Sequence, residues 1–365
     1  MIESQEHKED LIKLAKKLLY SRMSFPMDEN GEPTETYLEY LSLIYDPETA
    51  KLVIHLPVFP KMMSIVKFAK EVNMDKNELM AKLEERVKRG FVIKLGKNYA
   101  QLHPLFVYDI PFILKASYDH EDAIKLAQLS RKFFIEDEYY KTWETSKKGI
   151  PRMRVLTVSE EVEDTKEILP LEEVYSIIDR WNDFAIIPCP CRKRKDVEGI
   201  RECKDKYSLY NCILIGPNAK AMYEMGDPVV KFPTKEEVKK IVREAAEEGL
   251  VHCTDNTAYN TTIICNCCEC CCGMLRGLTR FDNPRAIAKA NFISNINSEI
   301  CVGCKTCVGR CKFNAITVND VAKVNIKKCV GCGLCAVTCP QSAITMKRLE
   351  REIIPESETV DRILN

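Results

Sequence analysis

Six of the eight residues from Cys265 to Cys272 are cysteine: Cys265, Cys267, Cys268, Cys270, Cys271 and Cys272. Two further groups flank this tract. Upstream stand Cys189, Cys191, Cys203, Cys212 and Cys253. Downstream, Cys301, Cys304, Cys307 and Cys311 are spaced C-x2-C-x2-C-x3-C, and Cys329, Cys332, Cys335 and Cys339 repeat that spacing 28 residues later. Thiols at this density serve disulfides, metal ligation or small apolar packing. Disulfide frameworks belong to small secreted chains. This chain has 365 residues, and its start, MIESQEHKEDLIKLAKKLLY, has no apolar signal-peptide core. The expected compartment is the cytoplasm, where clustered thiols more often bind metal.

The doubled spacing is the most legible chemistry. A cubane of four irons and four sulfides needs four thiolates at tetrahedrally disposed corners. One tight loop supplies three if the intervening residues are small. Gly303 and Gly331 give backbone freedom at matching places, and Gly333 adds more in the second loop. A fourth ligand from the same loop would be strained. The duplication goes beyond cysteine: CVGC recurs at 301 and 329, and Ala-Ile-Thr at 315–317 and 343–345. This segment resembles the two-cluster bacterial-type ferredoxin. The resemblance implies two [4Fe-4S] clusters whose fourth ligands cross over. Cluster one would take Cys301, Cys304, Cys307 and Cys339; cluster two would take Cys329, Cys332, Cys335 and Cys311. Pro340 follows Cys339 as in the family, whereas Lys312 follows Cys311 where proline is usual.

Within the central tract, Cys265, Cys268 and Cys271 form C-x2-C-x2-C, and Cys267 and Cys270 form another C-x2-C. Neighbouring side chains diverge on either a strand or a helix. The tract therefore splits into two ligand sets, or holds one cluster beside non-ligand thiols. Cys189, Cys191, Cys203 and Cys212 are enough for one tetrahedral site, which iron–sulfur and zinc both accept. The run Arg192 to Lys195 either offsets the charge of that site or is a solvated loop. His252 is either an extra ligand or a structural histidine. The stretches ILPLEEVYSIIDRWNDFAIIPCPCR, GLVHCTDN and ICNCCECCCG resemble multi-cluster iron–sulfur proteins of anaerobes that end in a ferredoxin-like dicluster module. The resemblance spans about residues 165–345. It implies one cluster-binding domain and electron transfer within a larger redox complex; the tract itself is expected to supply one or two further iron–sulfur clusters in 189–272.

The elements that must position these thiols predict an α+β fold. Its parts are an N-terminal helix and linker (1–35), a winged-helix-like module (36–115), a cysteine-rich α+β domain (116–290), a two-cluster ferredoxin-like domain (291–350) and a tail (351–365). Apolar spacing predicts helices at 8–20, 36–45, 62–72, 75–89, 119–146, 171–182 and 234–250. Asp75 and Thr234 are expected N-caps. Strands are expected at 152–158 and 184–187, with a hairpin over 91–102. Helix, helix, helix and hairpin resemble a winged helix-turn-helix. Its third helix carries Lys76, Lys82, Arg86, Lys88 and Arg89 among Glu78, Glu84 and Glu85, so a docking module is favoured over a DNA reader.

The formal net charge is zero, which predicts no chain-wide attraction to nucleic acid or anionic membrane, and no apolar run approaches a membrane span. Between 301 and 350, eight basic residues oppose Asp320 and Glu350, which predicts redox partner proteins with an acidic docking surface. The phosphate loop, the dinucleotide-binding glycine motif, haem attachment and zinc-protease motifs are missing. The expectation is a relay of low-potential single electrons between partner enzymes. Two alternatives remain: a catalytic reductase with a cluster at Cys265–Cys272, and a redox-sensing DNA-binding regulator.

Overall fold

In a computed structural model of the chain, the described residues are 2–17, 25–145, 149–158, 172–258, 261–351 and 354–355. Leu18 and Leu19 of the first expected helix, the ILPL segment and most of the expected tail lie outside them. Among the described residues no helix is long and apolar enough to cross a membrane.

The first half runs through α1 (Gln5–Lys17), α2 (Glu35–Ile44), α3 (Pro47–Val53), β1 (Met63–Ser64), α4 (Ile65–Glu71), α5 (Lys76–Lys88), β2 (Val92–Leu95) and β3 (Asn98–Gln101). Side chains at the N-caps fix the starts: Thr34, Asp46, Ser64 and Asp75 each accept from a backbone N–H of the first turn. The hairpin turns at Gly96 and Lys97 and joins β1 in the order β1-β3-β2. Next come α6 (Pro104–Asp109), α7 (Lys115–Tyr118), α8 (Ala123–Ile135) and α9 (Tyr139–Glu144). The single helix expected over 119–146 is thus two, broken at Glu138 with φ 51°. The break lets Phe133 and Phe134 of α8 and Tyr139 and Trp143 of α9 all pack around the Tyr108 ring.

The second part comprises β4 (Met153–Val155), α10 (Val174–Arg180), β5 (Phe184–Ile187), α11 (Pro190–Val197), β6 (Cys212–Ile215), α12 (Pro217–Met225), α13 (Lys235–Glu248), β7 (Val251–Asp255), β8 (Ile263–Cys267) and α14 (Gly273–Thr279). Thr234 and Glu237 form a capping box on α13, and Gly249 ends it in the left-handed region. The strands form one antiparallel sheet in the order β4-β7-β8-β6-β5. One face is sealed by α10 and α13, where Ile177, Ile178, Val238 and Val242 meet Ile213, Ile215 and Ile264. Because strand side chains alternate, Cys212, Cys265 and Cys267 take the opposite face, and Cys253 joins them as the register partner of Cys265.

The last part holds β9 (Phe292–Ile296), α15 (Thr306–Arg310), β10 (Ile316–Val318), β11 (Ala322–Val324), α16 (Leu334–Val337) and β12 (Ile344–Arg348). Antiparallel pairs β9–β12 and β10–β11 are related by the 28-residue repeat: Ser294 faces Met346 as Ala322 faces Val318.

Candidate metal centres

The sheet's open face forms the floor of a cavity of ≈ 200 Å³. Cys212, Cys253, Cys265 and Cys267 line it from the strands. Cys189 and Cys191 reach it from the start of α11, and Cys272 from the start of α14. The first half of the chain contributes as well: Phe106, Asp109, Ile110 and Ile113 line the cavity although no cysteine precedes Cys189. With Cys268, which also lines it, eight thiols around one space are a polynuclear donor set. Cys191 donates to Cys189 and thereby holds the Cys189 thiol down at about 7. The S–H donor Cys191 and the donor Cys265, hydrogen-bonded towards Cys212, are both pushed well up.

A second group lies beside the first. Cys203, Cys268, Cys270 and Cys271 are all buried, and their sulfurs all lie within 4.8 Å of one another. Cys203 Sγ is 4.0 Å from that of Cys268 and 3.8 Å from that of Cys271, and Cys270 and Cys271 are 3.6 Å apart. The four upstream thiols Cys189, Cys191, Cys203 and Cys212 therefore do not form one set, because Cys203 joins the tract. Nor does the tract divide by its C-x2-C spacings. Cys265 and Cys267 end a strand and face the cavity, whereas Cys268, Cys270 and Cys271 occupy the turn before α14, with Cys268 also at the cavity wall. Hydrogen bonding from Cys203, Cys270 and Cys271 drives the Cys268 thiol far down.

The basic run after Cys191 is not a solvated loop but part of α11, packed behind the thiols. Arg192 is 0% exposed; its guanidinium donates to the carbonyls of Ser208 at 2.8 Å and Asn266 at 2.5 Å, and to the Asn211 side chain. Burial lowers its pKa, but Cys189 and Cys268 outweigh that and raise it overall. Lys195 Nζ donates to Cys270 O at 2.7 Å. Arg194 is stacked on Tyr108 and donates to the Tyr108 carbonyl and to Asp109. Charged residues this deep need compensating partners: Arg194 has Asp109, and Arg192 has Cys189 and Cys268 beside it. His252 is buried beneath the sheet face, 2.6 Å from Asn266 Oδ1, and burial lowers it to about 4. It is absent from the cavity lining.

In the last part, Cys301, Cys304, Cys307 and Cys339 line one small cavity together. Cys329, Cys332, Cys335 and Cys311 form the companion group. Burial pushes Cys335 up to about 12, reinforced by Cys329 and Cys311. Backbone amides support both groups symmetrically: Ala315 N–H donates to Cys311 Sγ and Ala343 N–H to Cys339 Sγ, each at 3.3 Å. The loops need glycine. Gly303 and Gly331 have φ of 66° and 78°, and a Cβ would sit 2.4 Å from the Asp320 carbonyl oxygen in one and 2.3 Å from that of Phe292 in the other. Four thiols per site and N–H donors aimed at sulfur fit [4Fe-4S] clusters.

Residues 295–317 and 322–345 match the 4Fe-4S binding domain family. No curated protein and no solved structure matches the chain. The 4Fe-4S repeats are bound to the rest of the molecule at several points. Lys312, standing where the resemblance predicts proline, pairs with Glu269 in the central tract at 2.9 Å. Arg310 donates to the carbonyls of Ala246 and Glu247, covering the C-terminal end of α13. Thr157 donates to Gly331 O at 2.9 Å. Cys253, pushed up by burial, is also near enough to Cys332 for the two to interact electrostatically. Of the nineteen thiols, Cys304 alone is exposed.

Sequence reasoning did not single out Cys253 as a ligand, nor Asp109 as a wall of the cavity. Alternation opposite Cys265 would have marked Cys253; nothing local marks Asp109.

Proposed function

We propose that the chain is an electron-transfer protein of an anaerobic redox complex. Two [4Fe-4S] clusters occupy the 4Fe-4S repeats, on Cys301, Cys304, Cys307 and Cys339 and on Cys329, Cys332, Cys335 and Cys311. Further thiol-bound iron lies in 189–272. One observation carries the reading: a thiol of the cavity and a thiol of the 4Fe-4S repeats lie within electrostatic reach of each other. Cys253 of the cavity stands beside Cys332 of the repeats, and Cys304 of the repeats is exposed. Such clusters supply one-electron steps, and burial and N–H···S bonds set their potentials. The residues here hold, insulate and order them.

Three of the eight basic residues in 301–350 are used internally: Arg310 on α13, Lys312 on Glu269 and Arg348 on Glu172 at 2.5 Å. Lys305, Lys323, Lys327, Lys328 and Lys347 are exposed, and Lys305 adjoins Cys304. An acidic redox partner docking there is the reading for this face, with an on-rate that falls as salt rises. The helices and hairpin of the first module support reading it as winged-helix-like. Its α5 places Lys82 on Glu48, Arg86 on Asp46 and Arg89 on Asp122, which favours a docking scaffold over a DNA reader.

Anaerobic purification with iron and acid-labile sulfide analysis, followed by EPR during stepwise reduction, tests the proposal. Iron above about eight per chain, with interacting reduced-cluster signals, is expected. Colourless protein, or zinc in the eight sulfur positions of the repeats, overturns it. A catalytic reductase reading rests on the cavity's room beside its thiols, and a substrate-induced change in the EPR of its iron would favour it.

A further inference from the structure

We infer that the crowded tract serves two unlike metal centres. Cys203, Cys268, Cys270 and Cys271 hold a single tetrahedral zinc-class ion, and the adjoining cavity holds a polynuclear iron–sulfur centre with Cys253 among its ligands. The inference deepens the electron-transfer reading and rests on it for the iron in the cavity.

Sulfur spacing decides the first half. Four thiolates on one zinc at about 2.3 Å form a tetrahedron with edges of about 3.8 Å. The contacts of 3.6, 3.8 and 4.0 Å in this group match that edge. A cubane places its whole iron–sulfide core between the thiolates and holds them much farther apart. The same molecule supplies the control. Among the described residues, the Cys203 group is the one set whose ligand atoms all lie within 4.8 Å; the sets in the 4Fe-4S repeats are wider. The group is also closed, with its members between 1% and 8% exposed, as a structural four-thiolate zinc site is. Two negative charges remain on such a site; Arg192 stands beside Cys268 to offset them, and Lys195, itself paired with Glu202 at 2.9 Å, donates to the Cys270 carbonyl.

Spacing decides the second half too. The thiols around the cavity of ≈ 200 Å³ touch in pairs, such as Cys189 with Cys191 and Cys265 with Cys212, but do not close into one compact four-sulfur group. Cys212, Cys253 and Cys265 lie across adjacent strands of the floor, and Cys189, Cys191 and Cys272 approach from helix starts. More than four thiols face one space, too open for a lone ion and suited to a cluster of several irons. The ion in the Cys203 group then acts as a redox-silent staple. It ties the 198–207 loop to the tract and fixes where Cys267 and Cys272 enter the cavity.

The test uses full-length protein purified without oxygen from cells supplied with both iron and zinc. About one tightly held zinc per chain is expected, and its X-ray absorption should show four sulfurs at about 2.3 Å with no metal scatterer behind them. A Cys203→Ser/Cys271→Ser variant should lose the zinc and keep its iron and sulfide. A Cys212→Ser/Cys265→Ser variant should lose iron and sulfide and keep the zinc. Loss of iron and sulfide from the first variant, or native protein rich in iron but free of zinc, overturns the assignment. If the variants do not fold, the absorption spectrum of native protein still decides it. Failure of the electron-transfer reading would appear differently, as protein without reducible iron whatever its zinc content.

Discussion

The Ser294 hydroxyl lies 3.0 Å from Cys335 Sγ, and the residue related to Ser294 by the internal repeat is Ala322, which has no hydroxyl to offer. At this position the two sites thus differ by one buried hydroxyl donor. A hydroxyl aimed at a thiolate ligand favours the more negative, reduced state of its cluster. Ser294→Ala should make the cluster on Cys335 more negative by on the order of 50 mV, a little over 1 kcal/mol for one electron. The partner cluster should stay in place. An EPR-monitored redox titration reads both; equal shifts in the two would refute local tuning.

The Lys312–Glu269 pair joins the loop after Cys311 to the central tract, with 12% and 33% of the two side chains exposed. Partial burial places it above an ordinary surface pair. A double-mutant cycle with Lys312→Met and Glu269→Gln should give a coupling of about 1 kcal/mol in denaturant unfolding. Lys312→Pro, which restores the residue of the ferredoxin pattern, should leave both clusters loaded but slow electron arrival from the central region. Stopped-flow reduction followed at cluster wavelengths measures that delay.

Glu144 of α9 is buried against α14, with Asn283 Nδ2 donating to it at 2.7 Å. Burial raises its carboxyl from 4.5 to about 8, against the opposing effects of Asn283 and Arg276. A carboxyl that binds its proton more tightly when folded contributes stability that is full below the unfolded value and lost as pH rises through the folded one. Thermal stability should therefore fall between about pH 4.5 and 8. Glu144→Gln should flatten that fall, recovering about 2 to 4 kcal/mol at the alkaline end. Melting curves across this range check it, and parallel slopes for the two proteins would contradict it.

Gly303 and Gly331 face equivalent carbonyls, those of Asp320 and Phe292. Alanine at either should cost about 2 kcal/mol or more, from left-handed backbone and steric overlap combined. Each variant should lose one cluster preferentially: Gly303→Ala the one on Cys301 and Gly331→Ala the one on Cys329. Iron content and the EPR signal that survives would identify which is gone.

The C-terminal repeats were legible because ligand spacing, glycines and strand order all recur within one short segment. The caps at Asp75 and Thr234 and the strand at 184–187 were legible because local signals decide them. The division of the central tract was not, since its deciding partner, Cys203, is 65 residues from Cys268 in the chain. The role of Arg192 was hidden for the same reason: only the sheet behind it shows that the basic run is buried. The helix break at Glu138 follows from aromatic packing around Tyr108, which no local pattern announces.

The lone exposed thiol at Cys304 also fixes where oxidative wear begins. Air meets the site that includes Cys304 first, so its bleaching should precede that of the site on Cys329, Cys332, Cys335 and Cys311, none of which is exposed. Brief oxygen exposure would then leave a chain that still carries charge inside but has lost its outlet.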